Sequence, residues 1–284
     1  MSCTKAQVET GQKQNIANTY NYLRLSDDFK TYWFDGKAEL TSYQLTQMRY
    51  GEAREGSAVL IFVKEPFLKQ EQVKANSPSS ASVDVLKLNY TKNFNTGIYP
   101  YSIMQSVFSP LTNQPHAIKV TASTQEWCGQ TYMQLNNRQE FEVQSHSYFE
   151  GEDDQQLNLK KAFLENELWT KLRIEPTKIS TGELKVVPDF SYLRLKHKPI
   201  KAYEAKIEQE VINDTLITKL KYSDLERALV IFQENEFPFQ ILKWQELEGE
   251  NQPFTEAVIN KTMKIDYWNK NANRFEVLRD SLGL

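Results

Sequence analysis

The chain has 284 residues, of which 40% are hydrophobic, 12% aromatic and 25% charged, and its formal net charge is −3. This composition is typical of a globular protein with one large domain or two small ones, and the slight acidic balance excludes the positive field that concentrates nucleic acid. The longest apolar run, residues 58–63, is far shorter than the roughly 20 residues of a membrane-spanning helix.

The first residues of the chain are polar and follow neither helical nor strand periodicity. We therefore predict that residues 1–18 form a flexible tether. Residues 19–284 are predicted to form a single β-rich domain, because no proline- or serine-rich linker divides this part of the chain. A short helix is predicted at the start of this domain, because apolar residues recur there at helical spacing: Tyr22, Leu25, Phe29 and Trp33.

Most of the remaining chain shows the two-residue alternation of β-strands. Between Val83 and Trp268 apolar or aromatic residues repeatedly occupy every second position, for example at Ile118 and Val120. Side chains two apart share a face of the strand, so each run has one dry and one wet surface, as in antiparallel sheets. Counting these runs gives about ten to twelve strands, which is the pattern of a large antiparallel sheet or barrel.

One segment, residues 151–176, interrupts the alternation with a helical pattern. Asp153 or Asp154 can cap this helix, and Pro176 ends it. We therefore predict a mainly β fold of the α+β class, with a large curved antiparallel sheet or half-barrel packed on one central helix and short helices at the termini. The apolar face of the helix is defined by residues at roughly helical spacing: Leu157, Phe163, Leu164, Leu168 and Leu172.

A predicted strand near the middle of the chain carries the first candidate pocket. Glu126, Cys128, Gln130 and Tyr132 alternate onto one face of this strand, which brings together a carboxylate, a thiol, an amide and a phenol. Cys128 would act as a nucleophile only beside a base. The alternative interpretation is that Cys128 is a small buried hydrophobic residue and that the strand simply crosses the core.

The second candidate is the acidic stretch HSYFEGEDD, residues 146–154. His146 and Glu150 could form an acid/base pair, and the dense carboxylates could hold calcium. The spacing matches no calcium loop, so we expect neither a metal nor a cofactor. The plainer interpretation is a turn whose acidic residues favour the N-terminus of the following helix.

No familiar catalytic motif occurs in the sequence. His116, His146 and His197 have no second ligand or base at motif spacing, and the nucleotide-binding and hydrolase signatures are missing. The sequence therefore favours a binding function over catalysis.

The dipeptide Ser2-Cys3 resembles the end of a bacterial lipobox, in which a small residue precedes the acylated cysteine. The polar stretch TKAQVETGQKQN that follows suits a tether between a lipid anchor and a folded body. The resemblance implies lipidation at Cys3 and a periplasm-facing membrane lipoprotein, with the outer membrane as the expected location. The alternative is a cytosolic protein in which Cys3 is a free thiol near a loose terminus.

Three further segments resemble an uncharacterised family of Bacteroidetes lipoproteins: YWFDGKAELTSYQLTQMRYGEAREGSAVLIFVKEPF, KLNYTKNFNTGIYPYSIMQSVFSPL and VTASTQEWCGQTYMQL. Members of this family sometimes carry the label septum formation inhibitor Maf, although the sequence has neither the S-P-R-R motif nor the α/β pattern of the true Maf pyrophosphatases. The strand order around one helix is also similar to periplasmic domains shaped like the lipoprotein carriers LolA and LolB.

These resemblances imply a monomeric, lipid-anchored envelope protein that binds an apolar or polymeric ligand, such as a lipid or glycan, or a partner protein. The alternative is an envelope hydrolase that uses either the Glu126 and Cys128 strand or the His146 and Glu150 region. A polar pocket with two carboxylates or a Cys-His pair would favour the hydrolase, and a wholly apolar cavity would favour simple binding.

Overall fold

The computed structural model describes residues 23–249 and 254–284. The predicted tether, residues 1–18, and Cys3 lie outside the described residues. Four α-helices are present in the described part: α1 (Asp27–Trp33), α2 (Glu165–Ile174), α3 (Phe190–Leu195) and α4 (Val277–Ser281). The strands are β1 (Ala38–Arg49), β2 (Glu52–Leu68), β3 (Val73–Lys74), β4 (Ser82–Thr96), β5 (Tyr99–Pro110), β6 (Lys119–Glu126), β7 (Gly129–Asn137), β8 (Phe141–His146), β9 (Gln155–Leu159), β10 (Phe163–Leu164), β11 (Gly182–Val187), β12 (Tyr203–Ile212), β13 (Thr215–Tyr222), β14 (Ala228–Glu234), β15 (Ile241–Leu247) and β16 (Thr255–Ile265).

The described strands form one 16-stranded sheet in which most strands pair with the strand that precedes or follows them in sequence. The exceptions are β9 and β10, which lie at opposite ends of the order, and β4, which pairs with β2 instead of β3. The order runs from β10 through β16 to β1 and then on to β9, and the short β3 pairs only with β2. Every pairing is antiparallel except that between β10 and β11. The predicted fold class is confirmed: the alternating pattern produces hairpins whose short turns leave each strand beside the previous one.

The sheet curls around α2, which lies on its inner side. Trp169 of α2 packs against Tyr90 of β4 and Trp244 of β15, with ring centroids 5.2 Å apart in both pairs. These two strands are distant in the sheet order, so a single helix contacts both only because the sheet is strongly curved. Leu168 and Leu172 are fully buried in the same core.

The central helix is shorter than the sequence pattern predicts. Residues 155–159 form strand β9, and α2 begins only at Glu165. The predicted cap at Asp153 or Asp154 is therefore wrong. Leu157 follows the two-residue alternation and pairs with Val143 of β8, because ladder hydrogen bonds and a shared apolar face outweigh the local helical spacing.

Paired charges attach α2 to the sheet. Arg173 donates to Glu39 of β1 through two bonds of 2.6 and 2.7 Å, and both side chains are at most 1% exposed. At the other end of α2, Glu165 accepts from Arg227 Nε at 3.2 Å, and Arg227 Nη1 also donates to Glu246 of β15 at 3.2 Å. Buried charges that lose water must be compensated in this way, so these pairs fix the orientation of the helix inside the sheet.

The ends of the described chain carry short helices, as predicted. The side chain of Ser26 caps α1, and Phe29 and Trp33 of that helix are buried. Near the C-terminus, Leu282 packs with Leu40 in a small separate apolar cluster. Within the described residues, no helix has the length and apolar character required to cross a membrane.

Replacing Leu168 with alanine should lower the free energy of unfolding by roughly 2–5 kcal/mol, because it removes buried methyl groups and leaves a cavity beside the central helix. Denaturant unfolding measures this change. The matched control is Ile212→Ala at the exposed end of β12, where we expect a change of at most about 0.5 kcal/mol. Equal effects at the two positions would show that α2 is not part of the core.

Glu246 should make the free energy of unfolding depend on pH in the acidic range. Burial alone would raise its pKa, but the charges of Lys92 and Arg227 outweigh burial and lower that pKa to about 2. Since the folded-state pKa lies below the unfolded value of about 4.3, this carboxylate stabilises the fold above that pH. The stabilisation is then lost as the pH falls from about 4.3 towards 2.

The corresponding measurement is the free energy of unfolding between neutral and acid pH for Glu246→Gln and the parent. The variant should be less stable at neutral pH and should lose less stability on acidification, because the titrating carboxylate is gone. Glu236→Gln, at an exposed position, is the control and should follow the parent. A pH slope for Glu246→Gln equal to that of the parent contradicts the interpretation.

Candidate functional site

A cavity of about 380 Å³ lies between α3 and the inner face of β6–β9, and we call it the α3 pocket. Thr124 of β6 and its cross-strand partner Thr131 of β7 add hydroxyl groups to its wall. Every second residue of a strand faces inward, and the register of the sheet places one inward-facing residue from each of four strands side by side on the floor of the pocket. This floor is a row of four side chains: Ala122, Met133, Ser145 and Gln155.

Helix α3 forms the opposite wall, and Asp189 fixes its start. The Asp189 carboxylate accepts from the backbone N–H groups of Ser191 at 2.9 Å and Tyr192 at 3.1 Å, which satisfies the first turn. The same carboxylate accepts from Gln105 of β5 at 2.9 Å and from Asn166 of α2 at 2.8 Å. The wall of the pocket is thereby connected to the central helix.

The end of α3 shapes the mouth of the pocket. The Lys198 N–H donates to the Leu193 carbonyl oxygen at 2.9 Å and the His197 N–H to the Arg194 carbonyl oxygen at 3.4 Å, which is the Schellman pattern. His197 occupies the left-handed position of this motif, with φ of +50°. The turn brings His197 Nδ1 into hydrogen-bond contact with the Glu152 carboxylate at the partly exposed mouth.

Arg194 is the most deeply buried charge in the α3 pocket, with 9% of its surface exposed. Its Nε donates to Thr131 Oγ1 at 3.2 Å, and its guanidinium carbon lies 4.0 Å from the centroid of the Phe149 ring. Burial lowers the pKa of Arg194, while Tyr148 and Glu152 partly oppose this effect. An arginine remains protonated at neutral pH even so, and the pocket therefore contains a buried positive charge.

Three predicted residues lie together, on the outer face of the sheet. Gln130, Tyr132 and His146 line a shallow groove of about 350 Å³ at the ends of β6–β8. Tyr132 and His146 are cross-strand partners, and their rings stack with centroids 6.5 Å apart. Thr131, Tyr132 and Ser147 border both this groove and the α3 pocket, so the two cavities are adjacent.

Glu126 is the last residue of β6, and Cys128 lies in the hairpin turn that follows. The continuous strand predicted here is wrong: β6 ends at Glu126 and β7 begins at Gly129. The Glu126 carboxylate accepts from the Cys128 N–H at 2.7 Å and from the Tyr148 hydroxyl at 2.9 Å. A Cβ at Gly129 would lie 2.6 Å from the Tyr148 ring, so only glycine permits this approach and the turn is fixed there.

Cys128 fits neither of its two interpretations, the nucleophile beside a base and the buried hydrophobic residue. Its thiol is exposed, so the prediction of a buried hydrophobic residue is wrong. A hydrogen bond to the Glu126 carboxylate raises the pKa of the Cys128 thiol, because it favours the protonated thiol, and desolvation and the charge of Glu126 add to this effect. A raised pKa reduces the thiolate fraction on which nucleophilic attack depends.

The acidic stretch forms the exposed connection from β8 to β9. His146 Nδ1 pairs with Asp154 at 3.1 Å rather than with Glu150, which is exposed in the turn. Because a strand follows this turn, the interpretation of these acidic residues as a helix N-terminus is wrong. Among the described residues, no group of three or more His, Cys, Asp or Glu side chains is arranged to hold a metal ion.

No sequence motif indicates the α3 pocket, although the start of α3 has a local signal. Asp189 precedes the apolar residues Phe190 and Leu193, which is the pattern of a capped helix. The helix has only 6 residues, which is too short to establish a period. The approach of Arg194 to Thr131 joins residues far apart in the chain, and no local spacing indicates it.

Comparison with known proteins gives one structural similarity. No family model matches the chain, and no curated protein matches it. The chain is similar to the crystal structure of a β-barrel-like protein of a domain of unknown function, DUF1849, from Brucella abortus, with a TM-score of 0.47 and 10% sequence identity. The match covers 81% of this chain and 98% of that chain. The resemblance to Bacteroidetes lipoproteins stays a prediction from the sequence.

Proposed function

We propose that this protein is a non-catalytic binding protein of the cell envelope and that the α3 pocket holds a small ligand. The observation that supports this proposal is the pocket itself, a cavity of about 380 Å³ lined by both apolar and polar side chains. Ligand sites in proteins typically enclose about 300–1,000 Å³ and combine apolar surface with a few polar groups that orient the ligand. Leu157, Leu193 and Ile200 provide apolar surface, and Arg194 and Thr131 provide polar groups.

The size of the ligand follows from what occupies the inner side of the sheet. Helix α2 and the aromatic side chains of Trp169, Tyr90 and Trp244 fill the region between opposite parts of the sheet. A long polymer has no channel along this packed side, so the proposal assigns a small molecule to the α3 pocket.

The alternative of a hydrolase receives no support from the residues first considered for it. The Cys128 thiol is exposed beside a carboxylate that raises its pKa, and His146 bonds Asp154 instead of Glu150. Catalysis by a nucleophile requires a base within hydrogen-bond reach that activates it. Neither predicted pair has this geometry, and binding is therefore the function that we propose.

The lipid anchor is part of the same proposal and rests on the sequence alone. Cys3 lies outside the described residues, and Ser2-Cys3 followed by a polar stretch supports acylation at this position. Several acyl chains would hold the protein at a membrane facing the periplasm, because each buried methylene contributes about 0.8 kcal/mol.

Intact mass of the protein extracted with detergent from its native cells tests the anchor. We expect the mass of acyl chains on Cys3 in the membrane fraction. The control, Cys3→Ser, should lack this mass and move to the soluble fraction. An unmodified Cys3 in a soluble parent protein would contradict the envelope location and favour the cytosolic alternative.

Native mass spectrometry of the same preparation tests the pocket. The parent protein should retain a small molecule that is released on denaturation. Ala122→Phe fills the floor of the pocket and should lose this molecule, whereas Ala53→Phe, at an exposed position in β2, should keep it. Thermal melting confirms that both variants are folded. A parent protein without any bound molecule, or an equal load in the folded Ala122→Phe variant, rules out the proposed pocket function.

A further inference from the structure

Three arginines are buried in the described part of the chain, and two of them are neutralised by glutamates. Arg173 is paired with Glu39, and Arg227 is paired with Glu165. Arg194 is the exception: no ion pair within the described residues includes it, and its Nη1 has no hydrogen-bond partner there. A buried charge without a counter-charge is costly, and such groups in native proteins commonly have a functional explanation.

We propose that Arg194 is the anion-binding end of the α3 pocket and that the ligand is an organic carboxylate with a short apolar chain. This inference rests on the proposed binding function and specifies the chemical class of its ligand. Arg194 is nine-tenths buried and lines the pocket, and among the described residues it forms no ion pair, because the nearby Glu152 carboxylate is paired with His197.

The geometry around Arg194 suits a planar carboxylate. Its Nε already donates to Thr131 Oγ1, and its guanidinium carbon lies over the Phe149 ring, whereas Nη1 has no hydrogen-bond partner among the described residues. Arginine binds carboxylates through parallel N–H bonds in the plane of the guanidinium. Because the Thr131 hydroxyl accepts from Nε, its own proton remains free to be donated to a ligand oxygen.

The rest of the pocket favours one charge and an apolar body. Phe190 and Leu193 are almost fully buried beside Arg194, and Leu157 lies across the pocket from them. The Glu152 carboxylate, bonded to His197, lies at the mouth and disfavours a second negative group on the ligand. Lys198 also lines the pocket but is exposed to solvent, so the buried charge of Arg194 is the one that a monoanion with an apolar chain would neutralise.

Titration calorimetry of the full chain, freed of any bound molecule, tests the inference with octanoate and its uncharged analogue octanol. Octanoate should bind the parent at least about ten-fold more tightly than octanol, which is the range expected of hydrogen bonds to a charged group. Arg194→Gln should weaken octanoate binding by at least about ten-fold and leave octanol binding unchanged. Arg194→Lys, which keeps the charge but not the planar fork, should show an intermediate loss.

Lys196→Gln removes an exposed positive charge two residues from Arg194 and serves as the control, with octanoate binding equal to that of the parent. Thermal melting establishes whether each variant is folded. If Arg194→Gln is unfolded, Arg194→Lys tests the inference in its place. Equal affinity for octanoate and octanol, octanoate binding that survives loss of Arg194, or no octanoate binding overturns the inference. The native mass spectrum distinguishes failure of this inference from failure of the proposed binding function. A neutral bound molecule would contradict the carboxylate ligand but would still support binding in the α3 pocket.

Discussion

The enclosure of α2 by the curved sheet is the constraint on which the rest of the structure depends. Eight of the ten residues of the helix are buried, although six of the ten are polar or charged. Its burial is possible because Arg173 pairs with Glu39 of β1 and Glu165 pairs with Arg227, which directly precedes β14. Because these bonds come from separate parts of the sheet, they select one orientation of the helix and one curvature of the strands around it.

The α3 pocket depends on this arrangement. The Asp189 carboxylate both starts α3 and accepts from Asn166 of the central helix, so the position of α3 follows from that of α2. A cavity then remains where α3 faces β6–β9, and Arg194 is held in it by Thr131 and Phe149. In contrast to the two arginines around α2, Arg194 forms no ion pair among the described residues, and the proposed ligand site rests on that difference.

Sequence reasoning identified the sheet because strand alternation is a local property repeated along much of the chain. The central helix is predictable from its spacing, but its start is not, because Leu157 fits both a helical spacing and the alternation of β9. Only the pairing of Leu157 with Val143 decides between the two. Cys128 was assigned to a strand because a tight turn interrupts the alternation for only two residues. The α3 pocket was missed because it joins residues from four strands and a very short helix, and such contacts leave no spacing in the sequence.

Amide hydrogen exchange of the native protein tests the enclosure of α2 most directly. If the sheet encloses α2, the amides of Leu168–Leu172 should exchange only through global unfolding, far more slowly than those of the peripheral helix α4. Exchange in the central helix as fast as in α4 would contradict the account, because a helix enclosed by the sheet and held by buried ion pairs cannot open while the sheet remains intact.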